Sequence, residues 1–380
     1  MDSTASTAGL AGEWKEWAAG NAERIVPLRD AALTPMPSAE DIESQKAYQA
    51  ALFDTGWLSR GWAVEFGGSG GDAILRAAVY DLLGQSGFPV PTTVNVVEVL
   101  APALTKYAPH LAARYLPKLI SGREAWCQGF SEPDAGSDLA SLRTKAVRDG
   151  DEWVINGQKT WSTRAFGSDR CVVLVRTGTQ ESRHRGLSMM LVDMDAPGVS
   201  VHPIDEMSGT QHFGEIFLED VRIGDDRVIG EIDQGWAVAQ HALQWERGMF
   251  GWIRQAILFS ILRRLAAEAS IRRPAQFGAA YQDLAALRAR SFATIEALVA
   301  GASSGPQVSI DKLLLSQAER SVQDIVVATL PVAVDDGRED WTERLHDYVH
   351  SRTATIYGGS AEIQRTIIAD QVLELRGVRS

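Results

Sequence analysis

The sequence predicts an α+β fold in which a helical domain, a β domain and a helical bundle follow one another. Two changes in the spacing of apolar residues predict it. Apolar residues recur at helical spacing over residues 1–124, form short β-like runs over 125–232, and return to helical spacing over 233–380. We therefore expect three domains with these boundaries. The chain has 380 residues, of which 45% are apolar, so it can fill their cores.

The first domain should consist of helices separated by turns. Trp14 and Trp17 begin the helical spacing, and prolines and a glycine-rich stretch, FGGSGG (residues 66–71), interrupt it. This stretch follows no clear strand and lacks a GKS or GKT ending. We therefore interpret it as a loop between helices and not as a phosphate-binding loop.

The middle domain carries hairpin signals. Asp149-Gly150 and Asn156-Gly157 each separate two β-like runs, and Asp-Gly and Asn-Gly are the strongest short signals for a tight hairpin. Further β-like runs continue to residue 223, with a turn spacing typical of β-sandwiches and barrels. The sequence therefore predicts a barrel or sandwich in this region.

The last domain should be a bundle of long helices, which we expect to number four. An apolar face runs from Trp236 to Leu265 and ends before Pro274, where proline stops the helix. Helical spacing recurs over residues 281–299, 308–330 and 360–375.

Composition excludes several classes of function. The formal net charge of −12 argues against nucleic acid as a partner, because nucleic-acid-binding proteins concentrate Lys and Arg. The only cysteines, Cys127 and Cys171, lie far apart without a CxxC pattern, so we expect neither a disulfide nor a bound metal. No signal-peptide pattern and no membrane-spanning apolar run is found. We expect a cytoplasmic protein that does not contact a membrane.

The segment SEPDAGSD (residues 131–138) is a candidate ligand-binding loop. It follows a short apolar run, residues 125–130, that is typical of a strand. Proline, small residues and acids at a strand end leave backbone N–H groups free to face a ligand.

Four segments together resemble the acyl-CoA dehydrogenase family of flavoenzymes. They are WCQGFSEPDAGSDL (126–139), NGQKTWST (156–163), GDDRVIGEIDQGW (224–236) and IYGGSAEIQR (356–365). Each match is weak by itself, but four matches in the right order are specific, and the resemblance covers nearly the whole chain. It implies the family's fold, bound FAD and dehydrogenation of an acyl-CoA thioester in lipid breakdown.

The resemblance also implies roles for residues near the flavin. Ser131 would lie near the isoalloxazine ring, Ser137 would contact the CoA moiety, Trp161 would lie beside the ring, and the Thr163 hydroxyl would approach flavin N5. Without the flanking motifs, Trp161 would be interpreted as an ordinary half-buried strand residue. The other expected cofactor-binding residues are Gln128, Phe130, Ser162, Arg273, Gly359, Ser360 and Glu362.

The reaction also requires a base for the α-proton, and a carboxylate in a dry pocket has a suitably raised pKa. Many family members carry this glutamate in the sequence IYEG, where the present chain has Gly358. A subset that resembles long-chain and branched-chain dehydrogenases takes the base from the central helix, at the position of Glu246. The alternative for Glu246 is a surface acid paired with an arginine.

Other residues of these motifs are expected to serve the substrate. The backbone N–H of Gly358 can still polarise the thioester carbonyl. Gln244, Arg247 and Tyr357 would bind the substrate together with Ser137, although a tyrosine in the core is an equally good interpretation of Tyr357.

Two elements that family members usually donate to a neighbouring subunit's flavin are altered. Pro274 replaces the arginine of an Arg-x-x-Phe-Gly pattern, and the glycine-rich element expected before the last motif is missing between residues 323 and 350. One explanation is a heteromer, such as a heterotetramer with a related subunit, as among steroid-CoA dehydrogenases, whose ending resembles GGSAEIQ. The other is a homo-oligomer that uses residues such as Arg273. The sequence leaves both open.

The resemblance implies an electron-transferring flavoprotein as the electron acceptor. An acyl-CoA oxidase on the same fold is an alternative, because a fold does not determine its function. A non-catalytic subunit that completes a partner's flavin site is another, but Trp161, Thr163 and Glu246 are retained, which argues against it. The acyl group, linear, branched or steroid, is left open.

Overall fold

The computed structural model describes residues 9–33, 39–268, 274–302, 305–329 and 340–375. The N-terminal part is helical, as predicted. Its helices are α1 (Leu10–Leu33), α2 (Ala39–Asp54), α3 (Ala73–Gln85), α4 (Val94–Tyr107) and α5 (Pro109–Ile120). FGGSGG lies between a 3₁₀ turn and α3, and Asp72 caps α3 by accepting hydrogen bonds from the N–H groups of Ile74 and Leu75 at 2.9 and 3.2 Å. The interpretation of this stretch as a loop between helices is confirmed.

The middle part is one mixed sheet of eight strands. The strands are β1 (Trp126–Gly129), β2 (Lys145–Asp149), β3 (Glu152–Thr163), β4 (Arg170–Arg176), β5 (Leu187–Asp193), β6 (Val199–Ile204), β7 (Phe213–Gly224) and β8 (Val228–Ile229). Their order is β6-β7-β3-β2-β4-β5-β8, and β1 pairs in parallel with β4. The parallel pairing places Gly129, at the end of β1 shortly before the SEPDAGSD loop, opposite Val173 in the middle of β4.

One of the two predicted hairpins is wrong. Asp149 pairs with Glu152 across Gly150, so the Asp-Gly turn joins β2 to β3 as predicted. The chain does not turn at Asn156-Gly157, because β3 runs through both residues and its register against β7 shifts there. Gly157 contacts Thr144 so closely that an added Cβ would lie 2.5 Å from the Thr144 hydroxyl oxygen. Glycine at this position permits the β-bulge and the close approach of Thr144.

The C-terminal part is a helical bundle. Its helices are α6 (Gly235–Trp245), α7 (Gly251–Glu268), α8 (Pro274–Val299), α9 (Val308–Thr329), α10 (Asp340–Ser351) and α11 (Ala361–Ile367). Pro274 opens α8, a position that proline favours because the first helical N–H needs no partner. Leu262, Leu284 and Val322 are buried between α7, α8 and α9. Each such side chain contributes roughly 1.5–3 kcal/mol of hydrophobic stabilisation.

The three parts of the chain share a core. Leu116 of α5, Leu174 of β4 and Ala239 of α6 belong to one buried cluster. The region of β1 and the middle of α6 are thereby held by packing contacts among all three parts. Within the described ranges, no helix is both long enough and apolar enough to cross a membrane.

Candidate active site

Glu246 lies where the long central helix changes its winding. A π-helical turn, Glu246–Phe250, joins α6 to α7, and such single π turns occur frequently at functional sites. Gly248 allows this turn to approach α8, because an added Cβ would lie 2.9 Å from a methyl carbon of Thr294. The Glu246 side chain is partly exposed and lies next to the turn that contains Gly358.

The surroundings of Glu246 favour its protonated form. Burial raises the pKa of Glu246 above its usual 4.5, and the cations Arg247 and Lys312 act in the opposite direction. Lys312 is itself buried on α9, and burial lowers the pKa of its ammonium group to about 8. A carboxylate with a raised pKa in a partly dry site has the property that a general base requires.

The Glu246 carboxylate lies close to the backbone of Gly358. Gly358 has a φ of 61°, and an added Cβ would lie 3.0 Å from Oε1 of Glu246. The next residue, Gly359, has a φ of 95°, and its added Cβ would lie 2.4 Å from Nε2 of Gln364. Both left-handed backbone conformations therefore favour glycine. The carboxylate of residue 246 fills the space into which a side chain at residue 358 would begin to extend.

Tyr357 is held by a buried ion pair. Its hydroxyl donates a 2.8 Å hydrogen bond to Oε2 of Glu319, which also pairs with Arg254. Burial acts to raise the pKa of Glu319, but Arg254 and the Tyr357 hydroxyl bring it below 4.5. The Tyr357 ring lies edge-on to Phe250 at 6.2 Å. The orientation of this ring beside Glu246 is thus fixed by α7 and α9.

The substrate-binding candidates on the central helix flank Glu246. Gln244 is the next-to-last residue of α6, two residues before Glu246, and is partly exposed. Arg247 is partly exposed, its Nε atom is buried without a hydrogen-bond partner among the described residues, and burial lowers its pKa. An unpaired buried N–H group is available to a ligand.

A second group of predicted site residues lies at the ends of β1 and β3. The N–H of Thr160 donates to the carbonyl oxygen of Ser131 at 2.9 Å, which joins the loop to β3. Within the loop, Glu132 and Ala135 exchange two backbone hydrogen bonds of 3.0 Å. Two of the N–H groups that the sequence left free for a ligand are therefore used by the loop itself.

Two side chains of this second group keep a buried polar atom that no described residue satisfies. Nε2 of Gln128 and Oγ of Ser162 are buried without hydrogen-bond partners in the described part of the chain. Trp161 has a φ of 57°, and 58% of its surface is exposed. Positive φ is unfavourable for an aromatic residue, and such strain concentrates at ligand sites. Thr163 and Ser137 are exposed, and Phe130 is buried at the end of β1.

Aromatic rings connect the two groups. Trp161 contacts Phe213 with ring centroids 5.8 Å apart, Phe213 stacks on His350 at 6.4 Å, and His350 stacks on Tyr357 at 6.1 Å. A series of ring contacts therefore runs from the strand residues to Tyr357 of the Glu246 group.

Of three other predicted cofactor residues, the two that the structure describes make local interactions. Arg273 falls outside the described residues. Ser360 caps α11 by accepting a 3.4 Å hydrogen bond from the N–H of Ile363, and Glu362 is exposed and pairs with Arg365 at 3.5 Å. The structure thus gives Ser360 and Glu362 a role in the first turn of a helix.

Sequence reasoning missed the charged residues that support both groups. Lys312 and Glu319 lie two turns apart on the buried face of α9. Lys159 is 0% exposed and donates to Glu132 at 2.7 Å, while Glu132 also accepts the N–H groups of Arg143 and Thr144 at 2.6 and 2.9 Å. The available signal was a charged residue within an apolar pattern. Such residues are usually solvent-exposed, so the signal was weak.

The helical domain, the sheet and the helical bundle meet beside a partly buried carboxylate, and the family models identify this domain order as that of the flavin-dependent acyl-CoA dehydrogenases. Three family models cover most of the chain, describing an acyl-CoA dehydrogenase N-terminal domain at residues 28–123, a middle domain at 127–221 and a C-terminal domain at 233–373. The chain belongs to the acyl-CoA dehydrogenase family and is an oxidoreductase.

Relatives and solved structures agree with this assignment. Acyl-CoA dehydrogenase IpdE1 of Mycobacterium tuberculosis is 38% identical over 347 residues, 88% of this chain and 89% of the relative. IpdE1 of Mycolicibacterium smegmatis is 34% identical over 96% of both chains. The solved Tcur3481-Tcur3483 steroid ACAD has a TM-score of 0.82 and 26% identity and covers 99% of this chain and 98% of its own. The ChsE4-ChsE5 complex from Mycobacterium tuberculosis has a TM-score of 0.78 and 27% identity, with 98% of each chain covered.

The residues present fit the family's flavin. Gln128 and Ser162 each keep a buried polar atom that no described residue hydrogen-bonds, and the carbonyl oxygens and ring nitrogens of a flavin can satisfy both. The exposed, strained Trp161 offers an aromatic surface at the same strand end. These three residues would hold the ring side of FAD.

Proposed function

We propose that the protein removes two hydrogens from the α and β carbons of an acyl-CoA thioester to give a trans-2-enoyl-CoA, with Glu246 as the base. The observation that carries this proposal is the 3.0 Å distance between Oε1 of Glu246 and the point where a Cβ of residue 358 would lie. This distance supports the role of Glu246 as the base, because many family members carry their base at the position of residue 358. The pKa of Glu246, raised by burial, supports the same role.

The other residues bind, orient and polarise. The N–H of Gly358 polarises the thioester carbonyl and so acidifies the α-proton that Glu246 removes. Ser137, Gln244, Arg247 and Tyr357 hold the substrate. FAD would supply the acceptor, at its N5 atom, for the hydride that leaves the β carbon. Residues of the second group would hold it, together with the turn after Gly358; they are Gln128, Phe130, Ser131, Trp161, Ser162, Thr163, Gly359, Ser360 and Glu362.

We propose that the flavin site is completed by a related subunit. The altered pattern at Pro274 supports this, because the chain lacks the arginine expected there for a neighbour's pyrophosphate. The ChsE4-ChsE5 complex and the Tcur3481-Tcur3483 steroid ACAD are each named for two components. A heterotetramer and a steroid-type acyl-CoA substrate follow by analogy, with an electron-transferring flavoprotein as the acceptor. A homo-oligomer that uses Arg273 is the alternative.

The experiment follows flavin reduction without oxygen. The chain is purified with and without a co-expressed homologue, its bound FAD is measured, and acyl-CoAs of increasing bulk, including steroid side-chain thioesters, are added. Glu246→Gln should keep the flavin and slow its bleaching by about 10²–10⁴-fold. Glu296→Gln, an exposed acid on α8, is the matched control and should bleach like the parent.

Each alternative has its own readout. Bleaching of Glu246→Gln at the parental rate would exclude Glu246 as the base. A colourless chain that gains FAD only with the homologue supports the heteromer, whereas full flavin content alone supports the homo-oligomer. Rapid oxygen consumption by the reduced enzyme would identify an acyl-CoA oxidase.

A further inference from the structure

Two histidines and a glutamate meet between the sheet and the bundle. Glu206 and His212 lie in and at the end of the connection from β6 to β7, and His350 lies in the last turn of α10. One potential ligand atom from each of the three lies within 4.8 Å of the other two. We propose that these side chains bind a divalent transition-metal ion of the Zn²⁺ type, which joins the connection to α10.

The distances between the Glu206 carboxylate and the two imidazole rings suit ligands of one shared ion better than hydrogen bonds between the side chains. Nδ1 of His212 lies 3.3 Å and Nδ1 of His350 lies 3.8 Å from the Glu206 carboxylate oxygens. The longer distance exceeds a hydrogen bond, and Nδ1 of His350 is buried without a hydrogen-bond partner among the described residues. Two imidazole nitrogens and one carboxylate oxygen form a common ligand set for zinc and related ions.

The backbone of the connection is arranged to present Glu206 and His212 together. The N–H of His212 donates to Oε1 of Glu206 at 2.6 Å, and the N–H of Glu206 donates to the carbonyl oxygen of Thr210 at 3.1 Å. Gly209 has a φ of 81°, which closes this tight turn. The site is therefore formed by a short, internally bonded segment before α10 contributes its histidine.

One hydrogen bond must rearrange when an ion binds. The Thr210 hydroxyl lies 2.8 Å from Nδ1 of His212, the same atom that would ligate the metal. The Ser208 hydroxyl lies 2.7 Å from the Thr210 hydroxyl and offers it another partner. Rotation of one hydroxyl thus frees the nitrogen without leaving a polar group unpaired. The Glu206, His212 and His350 side chains are 12%, 37% and 32% exposed, so an ion can enter from solvent.

The site has a structural consequence for the neighbouring group. The His350 ring stacks on Phe213 and on Tyr357, at 6.4 and 6.1 Å. An ion bound to His350 would therefore fix the imidazole ring that lies between Phe213 and Tyr357. This proposal does not depend on the identity of the base, because it concerns binding of an ion and no chemical step.

Metal binding is tested on the full chain as purified, after treatment with a chelator and its removal. Calorimetric titration with Zn²⁺ should give one ion per chain. His350→Ala and Glu206→Gln should each weaken binding by at least about tenfold. His202→Gln, an exposed histidine on β6, is the matched control and should bind Zn²⁺ like the parent.

A spectroscopic measurement on the parental chain covers the case in which a variant fails to fold. X-ray absorption of the Zn²⁺-loaded parent should show two imidazole ligands, and Co²⁺ should give visible bands of a nitrogen- and oxygen-ligated ion. No stoichiometric ion, an ion without imidazole ligands, or equal affinity in folded His350→Ala would overturn the proposal.

Discussion

Nζ of Lys312 donates a 2.5 Å hydrogen bond to the carbonyl oxygen of Ala354. This bond joins α9 to the segment that leads into the Gly358 turn. The same ammonium group lies 4.1 Å from the centroid of the Tyr357 ring, and its charge acts on Glu246. A buried cation therefore supports the turn and the candidate base together.

Lys312→Met should make flavin reduction require a higher pH. Lys312 lowers the pKa of Glu246 against the effect of burial, so its removal should raise that pKa further. The fold should lose no more than about 1 kcal/mol through the missing hydrogen bond, because Ser316 also donates to Ala354, at 2.6 Å. The measurement is the anaerobic reduction rate between about pH 5 and about 9, a range that begins just above the ordinary pKa of Glu because burial raises the pKa of Glu246.

The matched control for this change is Lys106→Met, which removes a surface cation that lies over the Tyr107 ring. It should leave the pH profile in place. A Lys312→Met profile that coincides with the parental one would show that the lysine does not act on the base.

Glu246→Gln should stabilise the fold at high pH only. The pKa of Glu246 is raised in the fold, so the folded state disfavours the charged form. That cost is absent below the unfolded pKa of 4.5 and is fully present above the raised folded pKa. Urea unfolding should therefore show the variant more stable than the parent at high pH and equal to it at low pH.

The exposed Glu296→Gln serves as the reference in the same unfolding series, and it should show no such pH-dependent difference. Equal stability of Glu246→Gln and its parent across the whole range would mean that the Glu246 charge is fully solvated.

The sequence predicted the class of the fold because local spacing and turn residues report local structure. The Asp149-Gly150 hairpin is an example, since both strands adjoin the turn. Asn156-Gly157 carries an equally strong local signal but lies inside β3, because pairing with β7 overrides it. The course of β3 is determined by its pairing with β7, which is distant in the chain, and local sequence patterns do not report such pairing.

Residues of the candidate site could be predicted only where they occupy a position in a family motif. Glu246 and Gly358 were identified from motif positions, but nothing in either motif specifies the 3.0 Å relation between them. The π turn that begins at Glu246 leaves no pattern in the apolar spacing. The support from Lys312 was not predictable, because a lysine on a helix usually faces solvent.

Glu132→Gln should destabilise the protein and loosen the SEPDAGSD loop. Lys159 is completely buried, and Glu132 is its ion-pair partner at 2.7 Å. Removing one partner leaves an uncompensated buried charge, which costs about 3–5 kcal/mol. Burial lowers the pKa of Lys159 to about 8, so the deficit should shrink at higher pH, where the amine becomes neutral. Denaturant unfolding at about pH 6 and about pH 9 measures both effects.

The double variant Glu132→Gln/Lys159→Met tests the cause. It removes the unpaired charge and should recover part of the lost stability, as a coupled pair does in a double-mutant cycle. If Lys159→Met lowers the free energy of unfolding as much in the Glu132→Gln variant as it does in the parent, the two side chains are not coupled.

Gly358→Ala should impair flavin reduction more than it impairs flavin binding. The left-handed backbone, with a φ of 61°, costs alanine about 1–2 kcal/mol. The added methyl would lie 3.0 Å from Oε1 of Glu246 and 3.6 Å from Cε of Lys312, so the carboxylate has to move away. A small displacement of a catalytic group can cost about 10²-fold in rate.

Gly20→Ala on α1, where an added Cβ contacts nothing within 4 Å, is the control and should be stabilising by about 0.5–1 kcal/mol. Parental reduction rates in Gly358→Ala would show that the position of the Glu246 carboxylate does not limit the reaction.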